Sequence, residues 1–141
     1  MLEGLYAGAV EDSATRARTI SPSDLEALIA LQSPAIDALE SLQPRKNVHV
    51  LAEVKRASPS RGDLAEIADP VALAKIYEHC GASAISVLTE QRRFKGSLED
   101  LDAVTRAVNV PVLRKDFIAN EYQLLEARAI TVTRDGLVGR R

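Results

Sequence analysis

Residues 82–90, ASAISVLTE, are apolar along almost their whole length and lie between two helical patterns. The first helix is predicted to begin at Asp69-Pro70, an N-cap followed by proline at N1, and to end just before Gly81. The second begins after Ser97, another suitable N-cap. A strand that is apolar throughout, without alternation, is typical of a parallel sheet covered by helices.

The same order of strand and helix continues on both sides of this segment. VHVLAEVKR (48–56) and VPVLRKDF (110–117) have the composition of strands, and Asn120 with Gln123 fits a capping box that opens a further helix. Strand starts are about 30 residues apart, the usual length of a βαβ unit. The order predicts an α/β fold with about three βα units. The pattern fits a TIM barrel and a doubly wound sheet equally well.

Helical patterns also precede the first strand. Residues 2–18 carry a weak apolar pattern, and Ser21-Pro22 and Ser33-Pro34 each place a serine at an N-cap and a proline at N1. The predicted division of the chain is a helical extension (1–47), three βα units (48–129) and a tail (130–141).

Composition narrows the class of protein. The chain has 141 residues, 46% hydrophobic and 27% charged, which is globular composition. A net charge of −2 gives no support for a nucleic-acid or anionic-membrane partner. No apolar run approaches the roughly 20 residues that a membrane helix needs, and the N-terminus does not have the pattern of a signal peptide. The single cysteine, Cys80, is interpreted as a small core residue and fits a reducing compartment, so we expect a soluble cytoplasmic protein.

Charged residues end all three predicted strands, with Thr89 and Glu90 at the end of the second. In parallel βα arrays, ligands bind at the carboxyl ends of the strands. Glu53 and Lys55 end the first strand two residues apart, and so on one face, while Lys115 ends the third. A glutamate and two lysines at one rim suit acid–base chemistry on an anionic substrate. The spacing alone leaves the alternative of solvated strand ends open.

Three segments resemble one enzyme family. LAEVKRASPSRG (51–62), ISVLTEQRRFKGSLEDL (85–101) and VPVLRKDFIANEYQLLEARA (110–129) resemble the first three strands, with their loops and helices, of indole-3-glycerol-phosphate synthases. The segments keep the family's order and spacing. The resemblance implies a (β/α)8 barrel, of which this chain holds about three units after a helical extension.

The resemblance also implies an activity. The family closes the ring of 1-(2-carboxyphenylamino)-1-deoxyribulose 5-phosphate, with loss of carbon dioxide and water, in tryptophan biosynthesis. It is a carbon–carbon lyase that uses no metal or organic cofactor. The implied partner is therefore a small phosphosugar–anthranilate substrate.

Roles for individual residues follow from the same resemblance. Lys115 resembles the general acid that protonates the substrate carbonyl. Glu53 resembles the carboxylate that orients the reacting groups and shuttles protons, and Lys55 the lysine that holds negative charge. The remaining implied substrate contacts are Ser58 in the first loop and two aromatic walls around the anthranilate ring, Phe94 and Phe117.

The resemblance ends after Ala129. The family continues with a glycine-containing turn and an apolar fourth strand, whereas this chain reads ITVTRDGLVGRR (130–141). A full barrel takes about 250 residues, including a second glutamate, an asparagine and the phosphate-binding loops on later strands. We interpret the chain as truncated, and expect it to be inactive alone and either to self-associate through open sheet edges or to be loosely packed.

Two other interpretations are weighed beside this one. In the first, the chain is a non-catalytic remnant, or a half-barrel that works only with a complementary chain. A different phosphosugar-handling barrel, such as the isomerase acting one step earlier, is disfavoured by AEVKRASPS (52–60) and LRKDF (113–117) together.

Overall fold

The computed structural model describes residues 2–130. The elements along these residues are α1 (Leu2–Ala17), α2 (Pro22–Ile29), α3 (Ala38–Ser41), β1 (Leu51–Val54), β2 (Ala57–Ser58), β3 (Gly62–Asp63), α4 (Pro70–His79), β4 (Ala84–Leu88), α5 (Leu98–Ala107), β5 (Val112–Lys115) and α6 (Glu121–Ala129). They form two compact units, one of residues 34–115 and one of residues 2–33 with 116–130. The predicted tail, apart from Ile130, lies outside the described residues.

The unit of residues 34–115 contains the predicted parallel sheet. Its strand order is β1-β4-β5, and both pairings are parallel. The central strand β4 is buried at every residue. This confirms the interpretation of residues 82–90, because β4 is covered by its two neighbouring strands and by helices. A two-stranded hairpin, β2 with β3, follows β1.

The predicted helix starts flanking β4 are confirmed. The Asp69 carboxylate accepts from the Ala72 N–H at 2.9 Å, and the Ser97 hydroxyl accepts from the Asp100 N–H at 3.0 Å. Each satisfies one backbone donor that the first helical turn leaves unpaired. Gly81 follows α4 with φ 89°, a conformation that favours glycine.

One face of the sheet is covered by helices. The helix α4 packs against β1 and β4, and α5 packs against β4 and β5. Val54 and Val87, which are register partners, lie fully buried on this face, and α5 contributes Val104. Each such side chain stabilises the fold by about 1.5–3 kcal/mol. Because side chains alternate along a strand, Glu53 and Leu113 lie on the opposite face.

The unit of residues 2–33 and 116–130 is helical. The helix α6 packs against α1 and α2. Ser21 is the predicted N-cap of α2, and its hydroxyl and Asp24 cap each other reciprocally. Asn120 caps α6, whose Gln123 also accepts from the Ala119 N–H at 2.7 Å. The helix α6 belongs to this unit together with the N-terminal helices. The predicted boundaries at residues 47 and 129 stay predictions.

Two predictions about local structure are wrong. The third helix begins after Asp37 and not after Ser33, because the Asp37 carboxylate accepts from both the Leu39 and Glu40 N–H groups at 2.8 and 3.0 Å. Cys80 is exposed and not a core residue, because it occupies the C-cap of α4 at the surface.

Candidate functional site

The strand register places the three predicted charged residues on one face of the sheet. Glu53 is aligned with Ser86, and Lys115 with Leu88, in the two ladders of β4. Ser86 and Leu88 are two residues apart on one strand, so the side chains of Glu53 and Lys115 lie on the same face. Two strand spacings, on the order of 10 Å, separate their backbones.

Glu53 and Lys55 form an ion pair on this face. The Lys55 Nζ lies 2.5 Å from Glu53 Oε1, and the two side chains are 34% and 32% exposed. The spacing of two residues, which predicts that both side chains lie on one face, also lets their charges pair. The pair leaves a carboxylate and an ammonium group side by side at the carboxyl end of β1.

Lys115 ends β5 with an exposed side chain. Its backbone carbonyl accepts from the Thr89 N–H at 3.0 Å, which extends the β4–β5 pairing to the end of both strands. This hydrogen bond therefore holds the Lys115 backbone in place, while its side chain is exposed to solvent.

The other predicted residues lie outside the parallel sheet. Ser58 lies in β2, opposite Gly62 in the hairpin, and is half-buried. Phe94 is half-buried in the loop between β4 and α5. Phe117 belongs to the helical unit, where its carbonyl accepts from Gln123 Nε2 at 3.0 Å. The sheet unit thus holds five of the six predicted residues.

Arg56 is a residue of this region that sequence reasoning missed. It follows Lys55 and so points to the opposite face, where its Nε donates to the Ile67 carbonyl at 3.1 Å. Its Nη1 also pairs with the Asp100 carboxylate. The guanidinium therefore ties the loop after β1 to the first turn of α5.

A pocket of about 610 Å³ opens beside this arginine. It is lined by Arg56, Lys95 and residues 63–68. None of the six predicted residues is among these described lining residues. Strand ends and pocket are therefore separate features of the described chain. Within residues 2–130, no group of three His, Cys, Asp and Glu side chains is arranged to hold a metal ion.

Glu90, which ends the second predicted strand, makes contacts that the sequence did not predict. Its side chain is buried and accepts hydrogen bonds from the backbone N–H groups of Arg92, Arg93 and Phe94. A carboxylate directed at its own following loop leaves no periodic signal in the sequence. The only hint was a glutamate directly after an apolar strand.

Comparison with known proteins matches the order of these elements to a family. The family model described as indole-3-glycerol phosphate synthase matches residues 2–134. The chain belongs to the indole-3-glycerol phosphate synthase family. The three-stranded parallel sheet with its helices is therefore part of the TIM barrel of that family, as predicted.

Several curated relatives carry the name indole-3-glycerol phosphate synthase. The protein from Leifsonia xyli subsp. xyli is 61% identical over 129 residues, which cover 92% of this chain and 50% of the relative. The protein from Arthrobacter sp. (strain FB24) is 55% identical over 133 residues, covering 92% and 49%. The protein from Mycobacterium avium (strain 104) is 53% identical over 129 residues, covering 92% and 47%. The chain spans about half the length of these relatives.

A membrane-spanning helix is not found in the part of the chain that the structure describes.

Proposed function

We propose that this chain supplies the Glu53–Lys55–Lys115 part of an indole-3-glycerol phosphate synthase active site. The observation that carries the proposal is the common face: the register aligns Glu53 and Lys115 with residues two apart on β4. Membership in the family supports assigning to that face the ring closure and decarboxylation of 1-(2-carboxyphenylamino)-1-deoxyribulose 5-phosphate. The reaction makes the protein a carbon–carbon lyase of tryptophan biosynthesis.

In this proposal Lys115 is the general acid. The ring carbon that carries the substrate carboxylate forms a bond to the ribulose carbonyl carbon, and the carbonyl oxygen takes a proton from the Lys115 ammonium group. Carbon dioxide then leaves from the ring carbon, which restores the aromatic ring. Glu53 takes a proton from the methylene carbon next to nitrogen and passes it to the new hydroxyl, which leaves as water as the ring double bond forms. A solvent proton regenerates the Lys115 ammonium group. The exposed ammonium at the end of β5 is available for the first proton transfer.

Glu53 and Lys55 act as a pair in this proposal. The glutamate orients the reacting groups and relays protons, and the lysine holds negative charge on the substrate. Their 2.5 Å contact supports the assignment, because a bound anion can compete for Lys55 and leave the Glu53 carboxylate able to accept a proton. Ser58 contacts the ligand, and Phe94 flanks its anthranilate ring.

A graft tests the proposal. Residues 1–129 are joined to the remaining half of the Leifsonia relative, and formation of indole-3-glycerol phosphate is followed. We expect turnover in the graft, and a loss of about 10²–10⁴-fold in kcat with Lys115→Ala, as for removal of a general acid. Lys75→Ala, an exposed lysine on α4, is the matched control and keeps full activity. Normal turnover by Lys115→Ala contradicts the proposal.

The open face of the sheet favours a second candidate function. Leu51 and Leu113 lie on the face of Glu53 and are 53% and 50% exposed. An apolar face of this kind is typical of a surface that binds another polypeptide. The 141-residue chain would then act as a half-barrel that requires a complementary chain, or associate with itself. Both candidates place the protein in the cytoplasm, where its substrate would be made.

A further inference from the structure

The loop between β4 and α5 folds around one carboxylate. Glu90, 7% exposed, follows β4 by two residues. Its Oε1 accepts from the Arg92 N–H at 3.1 Å, and its Oε2 accepts from the Arg93 and Phe94 N–H groups at 2.7 and 2.9 Å. Three consecutive backbone donors therefore converge on a single side chain.

An ionised carboxylate suits this position better than other side chains. It only accepts hydrogen bonds, and both of its oxygens are used here. Bonds from N–H groups to a charged acceptor are stronger than those to a neutral one. The Glu90 side chain therefore determines the path of the backbone through Phe94.

The end of the loop is fixed independently. The Gly96 N–H donates to the Glu90 carbonyl at 2.9 Å, and a Cβ on Gly96 would lie 2.1 Å from the Leu88 carbonyl oxygen. Lys95 adopts φ 54°, a strained conformation for a side chain of its size. Phe94 lies between the carboxylate clamp and this close backbone contact, so both of its neighbouring segments are held.

We propose that Glu90 is a positioning residue for the aromatic ring of the substrate. It does not touch the reacting atoms; it fixes the backbone of Phe94, whose ring then flanks the anthranilate moiety without first having to be ordered. Ordering a loop before binding removes an entropic cost from association. The inference rests on the proposed function, because that function assigns Phe94 to the substrate.

The test compares three variants in the graft described above. Glu90→Gln keeps the size of the side chain but turns an NH2 group toward at least one backbone N–H. We expect it to raise KM about tenfold, with kcat changed by no more than about threefold, because a bound substrate is still protonated by Lys115. Glu90→Asp, with a shorter carboxylate side chain, should have a KM between those of the wild type and Glu90→Gln. Glu26→Gln, an exposed glutamate on α2, is the charge-matched control.

Amide hydrogen exchange in the 141-residue chain provides the structural readout. In Glu90→Gln we expect exchange at Arg92, Arg93 and Phe94 to accelerate about tenfold or more, with β4 unchanged. Faster exchange with an unchanged KM overturns the positioning role and leaves the proposed function intact. Unchanged exchange overturns the clamp itself. Failure of the proposed function shows separately, as normal turnover by the Lys115→Ala graft.

Discussion

Arg16 of α1 and Glu126 of α6 form a two-point ion pair between segments 110 residues apart. The Arg16 Nε lies 2.5 Å from Glu126 Oε1, and its Nη2 lies 2.9 Å from Oε2. The side chains are 27% and 8% exposed. Burial acts to lower the pKa of Arg16, but the hydrogen bond and charge of Glu126 outweigh it and raise that pKa above its ordinary value. The pair with Glu126 therefore favours the charged form of the arginine.

Breaking this pair should destabilise the helical unit. We expect Glu126→Gln to lower the free energy of unfolding by about 1–3 kcal/mol, because the Arg16 guanidinium is left partly buried without a full charge partner. Urea unfolding followed by circular dichroism measures the change. Glu26→Gln, on the exposed side of α2, serves as the control. Equal midpoints for the two variants would show that the pair contributes nothing.

The capping box of α2 should be visible in a pH titration. The side-chain and backbone hydrogen bonds from Ser21 lower the pKa of Asp24 below its ordinary value. The Ser21 hydroxyl lies 2.6 Å from Asp24 Oδ2 and its N–H 3.0 Å away. We expect Ser21→Ala to raise the Asp24 pKa part of the way back, because only the backbone donor remains.

The sign of the stability effect follows from that direction. A depressed pKa in the folded state stabilises the protein above the unfolded pKa, and this contribution is lost as the pH falls through the folded pKa. Carboxyl chemical shifts measure the titration, and Ser21→Thr should restore the wild-type midpoint. An Asp24 midpoint that is the same in Ser21→Ala would exclude the hydrogen bond as the cause.

Two glycines should respond to alanine in opposite directions. A Cβ on Gly96 would lie 2.1 Å from the Leu88 oxygen, so Gly96→Ala must shift backbone and should destabilise the protein by about 1–3 kcal/mol. Gly4 lies in α1 with nothing within 4 Å of an added Cβ, so Gly4→Ala should stabilise by about 0.5–1 kcal/mol. Thermal unfolding of both variants checks the prediction, and a shift of the same sign in both contradicts it.

The polypeptide of residues 1–141 should associate and show no turnover by itself. Its exposed apolar sheet face includes Leu113, which is half-exposed next to the proposed catalytic groups. We expect Leu113→Gln to shift sedimentation toward monomer, while Leu39→Gln, an exposed leucine on α3, leaves association unchanged. Turnover by a monodisperse monomer would contradict both expectations.

The sequence predicted the elements whose signals are local. Three helices begin at the predicted N-caps, Asp69, Ser97 and Asn120. These caps could be predicted because a side-chain acceptor followed by an apolar stripe is a local pattern in the sequence. The cap of α3 was misassigned since Ser33-Pro34 has the same local chemistry as Ser21-Pro22. Only the structure shows that Asp37, four residues later, binds two N–H groups.

The site could be predicted only where strand alternation determines it. Spacing of two put Glu53 and Lys55 on one face, and the register adds Lys115. The Glu90 clamp and the Arg56–Asp100 pair could not be predicted, because both depend on how loops close in three dimensions. Which helices share a unit was also hidden, since α6 follows β5 in sequence but packs with α1 and α2.

The placement of α6 has a consequence for synthesis on the ribosome. Residues 34–115 form a unit that is continuous in sequence, whereas residues 2–33 complete their unit only with residues 116–130. The N-terminal helices α1 and α2 therefore lack their partner α6, and the Arg16–Glu126 ion pair, until Glu126 has left the ribosome. Helices this short are marginal in water without tertiary contacts. A nascent chain stalled before residue 116 would thus lack α6, and its residues 2–33 would be open to proteases.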